Sequence, residues 1–223
     1  GERTLVGSVA ISGLAPDDEA RLTAALQLAA GDPARADRIA LAALAIEQDL
    51  RERGFADATV RPRVGADPSL PGTVGVRIEV DPGAAYRVGD VSFDALRFTR
   101  RSLAARLAAL DPDGVYRPDE VAAARSRLAR LGVFSSVDVD TVRAPDGTVG
   151  VTFRTVEQPR FTLAYGVRWE SEQGVSAVVD AVDRNFLGRA VTLGARALYE
   201  QDDASGRLYV GASDLLGTRA GFD

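Results

Sequence analysis

Two carboxylates at alternate positions are the first chemistry this sequence suggests. Asp138 and Asp140 alternate with Val137 and Val139, so both acids share one strand face, where a carboxylate pair can do acid–base work or hold a cation. The same alternation makes that face the wet side of a half-buried strand, and this is the preferred reading. Asp111-Pro112-Asp113-Gly114 opens like a calcium loop, but Glu120 falls short of the twelfth position, so the segment reads as a turn. Asp17, Asp18 and Glu19 read as the acidic first turn of a helix. Arg184 and Arg189 flank a short turn and read as interface anchors, with a phospholipid-headgroup contact as the alternative. The Glu170–Gln173 and Glu200–Ser205 clusters read as polar loops.

Composition removes most other reactions. The 223 residues contain no His, Cys or Met, and all 27 cationic side chains are arginine. His-based catalysis, thiol nucleophiles, Cys/His zinc sites and disulfides are therefore absent. Without lysine there is no Walker-type phosphate loop and no Schiff base. The expectation is no catalytic residue, no metal and no cofactor, with a carboxylate hydrolase as the last alternative. A net charge of −5 argues against a nucleic-acid partner. Lack of cysteine suits a reducing or an oxidising compartment equally. No window approaches the ~20 apolar residues of a membrane helix, which leaves a β-barrel open. A chain that starts at Gly1 and stops at Asp223 in mid-pattern reads as an excised part of a longer protein.

The elements that must position these residues are organised by an internal repeat. Val6-Gly7-Ser8-Val9 returns as Val88-Gly89-Asp90-Val91, Arg53-Gly54-Phe55 as Leu131-Gly132-Val133-Phe134, and Gly72–Val76 as Gly147–Val151. The copies cover about 4–82 and 86–157, and each reads as strand, helix, helix, strand, strand. In the first copy, Leu22, Ala25, Leu26 and Ala29 make one helical stripe. Ile39, Ala42, Ala43, Ile46 and Leu50 make the next, followed by strands Ala58–Val64 and Thr73–Val80. In the second, Tyr86–Phe93 opens the unit, and Thr99 is placed as N-cap of a helix carrying Leu103, Leu107 and Leu110. Pro118 starts a second helix with Val121, Ala124 and Leu128 inward, and Gly132 stops it. Val149–Val156 carries the denser apolar face, so it belongs mid-sheet. Val137, Asp138, Val139, Asp140, Thr141, Val142 and Arg143 then form an exposed edge.

This β-α-α-β-β unit resembles the polypeptide-transport-associated (POTRA) domain. The resemblance rests on Gly114-Val115-Tyr116-Arg117-Pro118, Leu128, Leu131-Gly132-Val133-Phe134 and Val137-Asp138-Val139 in order, in two tandem copies. Domain boundaries are expected at 1–83, 84–158 and 159–223.

After Pro159 the pattern becomes strict two-residue alternation. Phe161, Leu163, Tyr165, Val167 and Trp169 share one face, nine alternating residues against the ~9–11 of a tilted membrane strand. Val175, Ala177, Val179 and Ala181 form a second row, Val191, Leu193, Ala195, Ala197 and Tyr199 a third, and Leu208, Val210 and Ala212 a fourth. Arg168, Asp180 and Arg196 fall on the opposite parity, as one-sided lipid exposure requires. Trp169 and Tyr199 would sit at one interface. A soluble meander with one face on a core explains alternation alone equally well. Asp183-Arg184-Asn185-Phe186-Leu187-Gly188-Arg189-Ala190 is similar to a barrel turn of the outer-membrane assembly-factor family, the BamA and TamA relatives, with Ala190 where Gly is usual. Asp214–Arg219 resembles the next short turn.

The resemblance implies an α+β chain: two POTRA domains in the periplasm, then about four opening strands of a transmembrane β-barrel in the outer membrane. It also implies a non-enzymatic assembly, insertion or translocation factor. Its partners would be unfolded outer-membrane or secreted polypeptides, the lipid bilayer, and accessory periplasmic or inner-membrane proteins. Clients would add to strand edges through backbone hydrogen bonds, and to a barrel seam at Phe161, Leu163, Tyr165, Gly166, Val167 and Trp169. The alternatives are a two-partner secretion pore for a dedicated partner and a soluble periplasmic scaffold. Residues 1–158 are expected to fold cooperatively in water, and the tail from Phe161 to need a membrane.

Overall fold

A computed structural model describes residues 4–170, 174–200 and 203–212. They fall into two compact units, one drawn from 4–88, 113–118 and 143–149, the other from 89–112, 119–142, 150–170, 174–200 and 203–212.

In the first unit the elements run β1 (Leu5–Ser12), α1 (Pro16–Ala25), α2 (Ala36–Glu52), β2 (Thr59–Ala66) and β3 (Thr73–Asp81). The sheet order is β1-β3-β2. β3 lies in the middle, parallel to β1 and antiparallel to β2. The α2 stripe of Ile39, Ala42, Ile46 and Leu50 packs with Val6, Ile11, Val76, Ile78 and Val80 of the sheet into one core. Burying each large aliphatic side chain contributes about 1.5–3 kcal/mol. The expected α1 stripe is corrected. The helix ends at Ala25 and buries only Leu22, while Ala29 is exposed and Leu28, beyond the helix, fills the core. Hydrophobic spacing persisted past the point where the backbone turns extended at Leu26.

Exposed charges tie the two helices together: Arg21 grips Asp49 at 2.9 and 2.8 Å, and Arg53 grips Asp18 at 2.9 and 3.0 Å. Those hydrogen bonds from the guanidiniums hold both carboxyls below their usual range. At the other end of the sheet, buried Asp67 accepts from the Ser8 hydroxyl at 2.5 Å and the Ser69 N–H at 2.8 Å.

The second repeat consists of β4 (Arg87–Asp94), α3 (Arg101–Ala108), α4 (Pro118–Ala129), β5 (Phe134–Arg143) and β6 (Thr148–Glu157), with sheet order β4-β6-β5. Val149, Val151 and Phe153 of the central strand are at most 1% exposed, and Phe153 stacks on Phe93 with ring centroids 5.3 Å apart. Thr99 is not a helix cap. Arg100, one residue later, precedes the first helical residue and makes no side-chain cap, and the Thr99 hydroxyl is engaged elsewhere.

Four strands follow: β7 (Phe161–Glu170), β8 (Gly174–Phe186), β9 (Val191–Glu200) and β10 (Asp203–Ala212). They form an antiparallel meander in the order β10-β9-β8-β7. The architecture is α+β: two β-α-α-β-β units, then an antiparallel sheet. The second predicted turn, Asp214–Arg219, lies outside the described residues.

Candidate functional site

Strand β5 lies at the edge of its sheet, with β6 between it and β4. Val137 is 3% exposed, whereas Asp138 and Thr141–Arg143 are exposed. The two acids do not act as a pair: Asp138 lies 3.9 Å from Arg125, and Asp140 accepts from Arg154 at 2.9 Å. Arg125 also donates to the Val137 carbonyl at 2.6 Å. At the far end Arg143 reaches Asp57 at 2.5 Å and lies over the Tyr86 ring. The corresponding edge of the first repeat, β2, carries Pro62 opposite Ile78 of β3. Proline lacks the N–H an added strand needs, so β2 is a blocked edge and β5 is not.

The meander's register aligns the predicted apolar rows. Leu163 faces Ala181, Tyr165 faces Val179, and Val167 faces Ala177. Ala181 then faces Ala195, Ala177 faces Tyr199, and Ala195 faces Leu208. Directly paired residues point to the same side of a sheet, so all four rows form one wall. It is bare: Phe161, Leu163, Tyr165, Val167 and Trp169 are 66–81% exposed, and Leu208 is 81% exposed. Trp169 and Tyr199 lie at the same end, because their partners Val175 and Ala177 are neighbours on that face. Asp180 and Arg196 pair on the opposite face, where Tyr209 donates to Asp180 at 3.2 Å beside a cavity of about 890 Å³. Among the described residues β7 ends the sheet, with Gly166 at its centre.

Beneath the wall lies a polar joint that sequence reasoning largely missed. Asp183, on the apolar parity opposite Phe161, is 8% exposed. It takes a two-pronged grip from Arg160 at 2.7 and 2.6 Å and a bond from the Asn185 N–H at 3.1 Å. Asn185, 4% exposed, donates from Nδ2 to the Thr99 hydroxyl at 2.9 Å and accepts at Oδ1 from the Ala190 N–H at 2.8 Å. Gly188 accepts from the Arg100 N–H at 3.0 Å. Its φ is +69°, and a Cβ there would lie within 2.3 Å of the Phe98 carbonyl, so this turn position needs glycine. Leu187 and Ala190 also have positive φ. Ala190, the departure from the relatives' motif, adopts the left-handed backbone that a glycine there would take freely.

Glu157 completes the joint by accepting from the N–H groups of Arg97, Phe98 and Thr99 at 3.1, 2.9 and 2.7 Å. Burial pushes its carboxyl up, but hydrogen bonds from the Thr99 hydroxyl and the three N–H groups outweigh this and hold it below the usual value. The turn motif was legible as a motif. Its partners were not, because Thr99 is 86 positions from Asn185 and Glu157 carries no local signal.

Paired β-α-α-β-β repeats followed by an antiparallel sheet with one bare apolar face define the architecture of this class of protein. The profile described as "POTRA: Surface antigen variable number repeat" matches residues 4–83 and again 86–158. The chain belongs to the POTRA family.

Among known proteins it is 25% identical over 146 residues to "Outer membrane protein assembly factor BamA" of Neorickettsia risticii (strain Illinois). That match covers 66% of this chain and 20% of the relative, so the matched part is about a fifth of the relative's length. In structure it is similar to BamA from Haemophilus ducreyi lacking POTRA domains 1–3, with TM-score 0.70 and 22% identity over 93% of this chain and 39% of the other. Haemophilus influenzae BamA POTRA3–5 matches at TM-score 0.53 and 25% identity over 70% of this chain and 63% of that one. CdiB from Acinetobacter baumannii matches in fold at TM-score 0.50 and 11% identity, over 96% and 42%. The isolated POTRA fragment reaches no further than the share the repeats occupy. The longer BamA match therefore takes in the meander as well.

Proposed function

We propose that this chain is the working segment of an outer-membrane assembly or translocation factor. Residues 1–83 and 84–158 are its periplasmic POTRA domains, and 159–223 open a β-barrel wall in the outer membrane. It passes unfolded client polypeptides from repeat edge to barrel seam and makes or breaks no covalent bond. The observation that carries this reading is the register of β7–β10, which gathers every apolar row on one exposed face and leaves β7 at the end of the sheet. Such a face is costly in water and suited to lipid. An end strand can take up a further strand by main-chain hydrogen bonds, each about 0.5–1.5 kcal/mol net.

Two acceptors follow: Val137–Arg143 on β5, and the seam face of β7 at Phe161, Leu163, Tyr165, Gly166, Val167 and Trp169. The first is supported by its edge position without proline, the second by the BamA likeness. Because the chain has no cysteine, single cysteines placed along β5 or β7 of the full-length protein report unambiguously. Crosslinks from β7 to a client's terminal strand are expected. Crosslinks confined to the polar face around Asp180 and Arg196 would overturn the seam.

A secretion pore serving one dedicated partner shares this architecture, and the fold likeness to CdiB keeps it as the second reading. Crosslinking several unrelated clients to β7 supports the assembly factor, and capture of a single one supports the pore.

A further inference from the structure

At the lower margin of the wall lies a cavity of about 360 Å³ lined by Arg100, Ser102, Leu103, Arg106, Arg189 and Val191. Three guanidinium-bearing side chains and a hydroxyl border it, and none of its lining residues is a carboxylate. Many arginines elsewhere are ion-paired, Arg21, Arg53, Arg143, Arg154 and Arg160 among them; what sets this cavity apart is that three border it together without a carboxylate. Among the described residues, the guanidiniums of Arg100, Arg106 and Arg189 have no hydrogen-bond or ion-pair partner. Clustering three unpaired like charges is unfavourable in the absence of an anion, and it occurs here in a chain of net charge −5.

Their placement is built. The Arg100 N–H is bound to Gly188, which sets Arg100 beside the turn that carries Arg189. Arg106 approaches from the following turn and more of α3. Another liner, Val191, begins the third apolar row and pairs with Ala212 on the wall. The arginines thus stand where the apolar face ends.

We propose that Arg100, Arg106 and Arg189 form a phosphate-binding site, and that the phosphate is the headgroup of an anionic lipid whose chains lie along the β7–β10 wall. Planar guanidiniums match phosphate oxygens two at a time, and Ser102 adds a neutral donor. Choice of a lipid source rests on the membrane-wall reading above; the arginine cluster itself does not.

The test titrates the full-length protein in zwitterionic micelles with short-chain phosphatidylglycerol and, separately, with inorganic phosphate. Wild type is expected to bind the lipid, and the Arg100→Gln/Arg106→Gln/Arg189→Gln triple variant to bind it roughly tenfold more weakly or less tightly still. The triple lysine variant should recover part of the loss. Should the triple Gln variant fail to fold, Arg106→Gln, whose backbone takes no part in the joint, decides the matter with an expected loss of roughly threefold. Equal lipid binding by wild type and variants overturns the site. Equal affinity for inorganic phosphate and lipid, with the same arginine dependence, overturns the lipid source. Flotation with phosphatidylglycerol vesicles is run in parallel: wild type that fails to float defeats the membrane wall, whereas wild type that floats while the variants bind lipid normally defeats only the arginine site.

Discussion

Asn185 and Thr99, 86 positions apart, share a 2.9 Å hydrogen bond in a buried setting. It joins the β8–β9 turn to the segment that leads into α3. The asparagine's other end is also occupied, by the Ala190 N–H, so both ends of one amide are used.

Asn185→Ala should therefore leave the buried Ala190 N–H without its partner and remove the bond the Thr99 hydroxyl accepts, destabilising the second unit by about 1–3 kcal/mol. Denaturant unfolding of the full-length protein in micelles reads this directly. In a double-mutant cycle with Thr99→Val, a coupling of roughly 0.5–1.5 kcal/mol is expected. Simple additivity would show that the bond contributes nothing of its own.

Gly188→Ala and Gly132→Ala make a matched comparison. Both glycines have positive φ, but a Cβ at 132 meets nothing within 4 Å, while one at 188 meets the Phe98 carbonyl at 2.3 Å. Gly132→Ala should cost about 1–2 kcal/mol for the left-handed backbone alone. Gly188→Ala should cost clearly more, with the Arg100–Gly188 bond lost in amide exchange.

Acid should loosen the joint through Glu157. Its folded pKa lies below the ordinary value of 4.5, so its stabilisation is complete above that value and fades as pH falls through the folded pKa. Amide exchange at Arg97, Phe98 and Thr99 should accelerate in that range, relative to Glu157→Gln. The variant should be the less stable protein at pH 7 and match wild type at the lowest pH. Parallel stability curves down to pH 3 would refute this role.

On the wall, Tyr165→Arg should impair membrane insertion far more than Ala164→Arg. A lipid-facing arginine near mid-depth costs roughly 2–4 kcal/mol, whereas Ala164 faces Asp180 across the strand pair. Folding yield into vesicles measures the difference. Equal yields would mean that the apolar face is not against lipid.

Sequence periodicity revealed what depends on local order. The α2 stripe, the β6 core and the four wall rows all carry their burial pattern in the spacing of their own residues. It overextended α1, because Leu26 and Ala29 keep helical spacing after the backbone has left the helix. It also mistook Thr99 for a cap, since a threonine before a helix looks the same whether it bonds forward to its own helix or across to a turn. Asn185 stood out only through resemblance. Arg189 was legible as a cation flanking the turn, but Glu157, Arg160, Arg100 and Arg106 gave no signal, because their roles exist only once distant segments meet.

The joint is made largely with main-chain atoms on the α3 side. Glu157 holds the N–H groups of residues 97–99, and Gly188 takes the N–H of residue 100. Substitutions at 97, 98 and 100 can therefore leave the hinge point intact, whereas Glu157, Asn185 and Gly188 have little room to drift. The support that carries the Arg100 side chain thus does not depend on what that side chain is, so its charge serves binding at the surface and not the architecture of the joint.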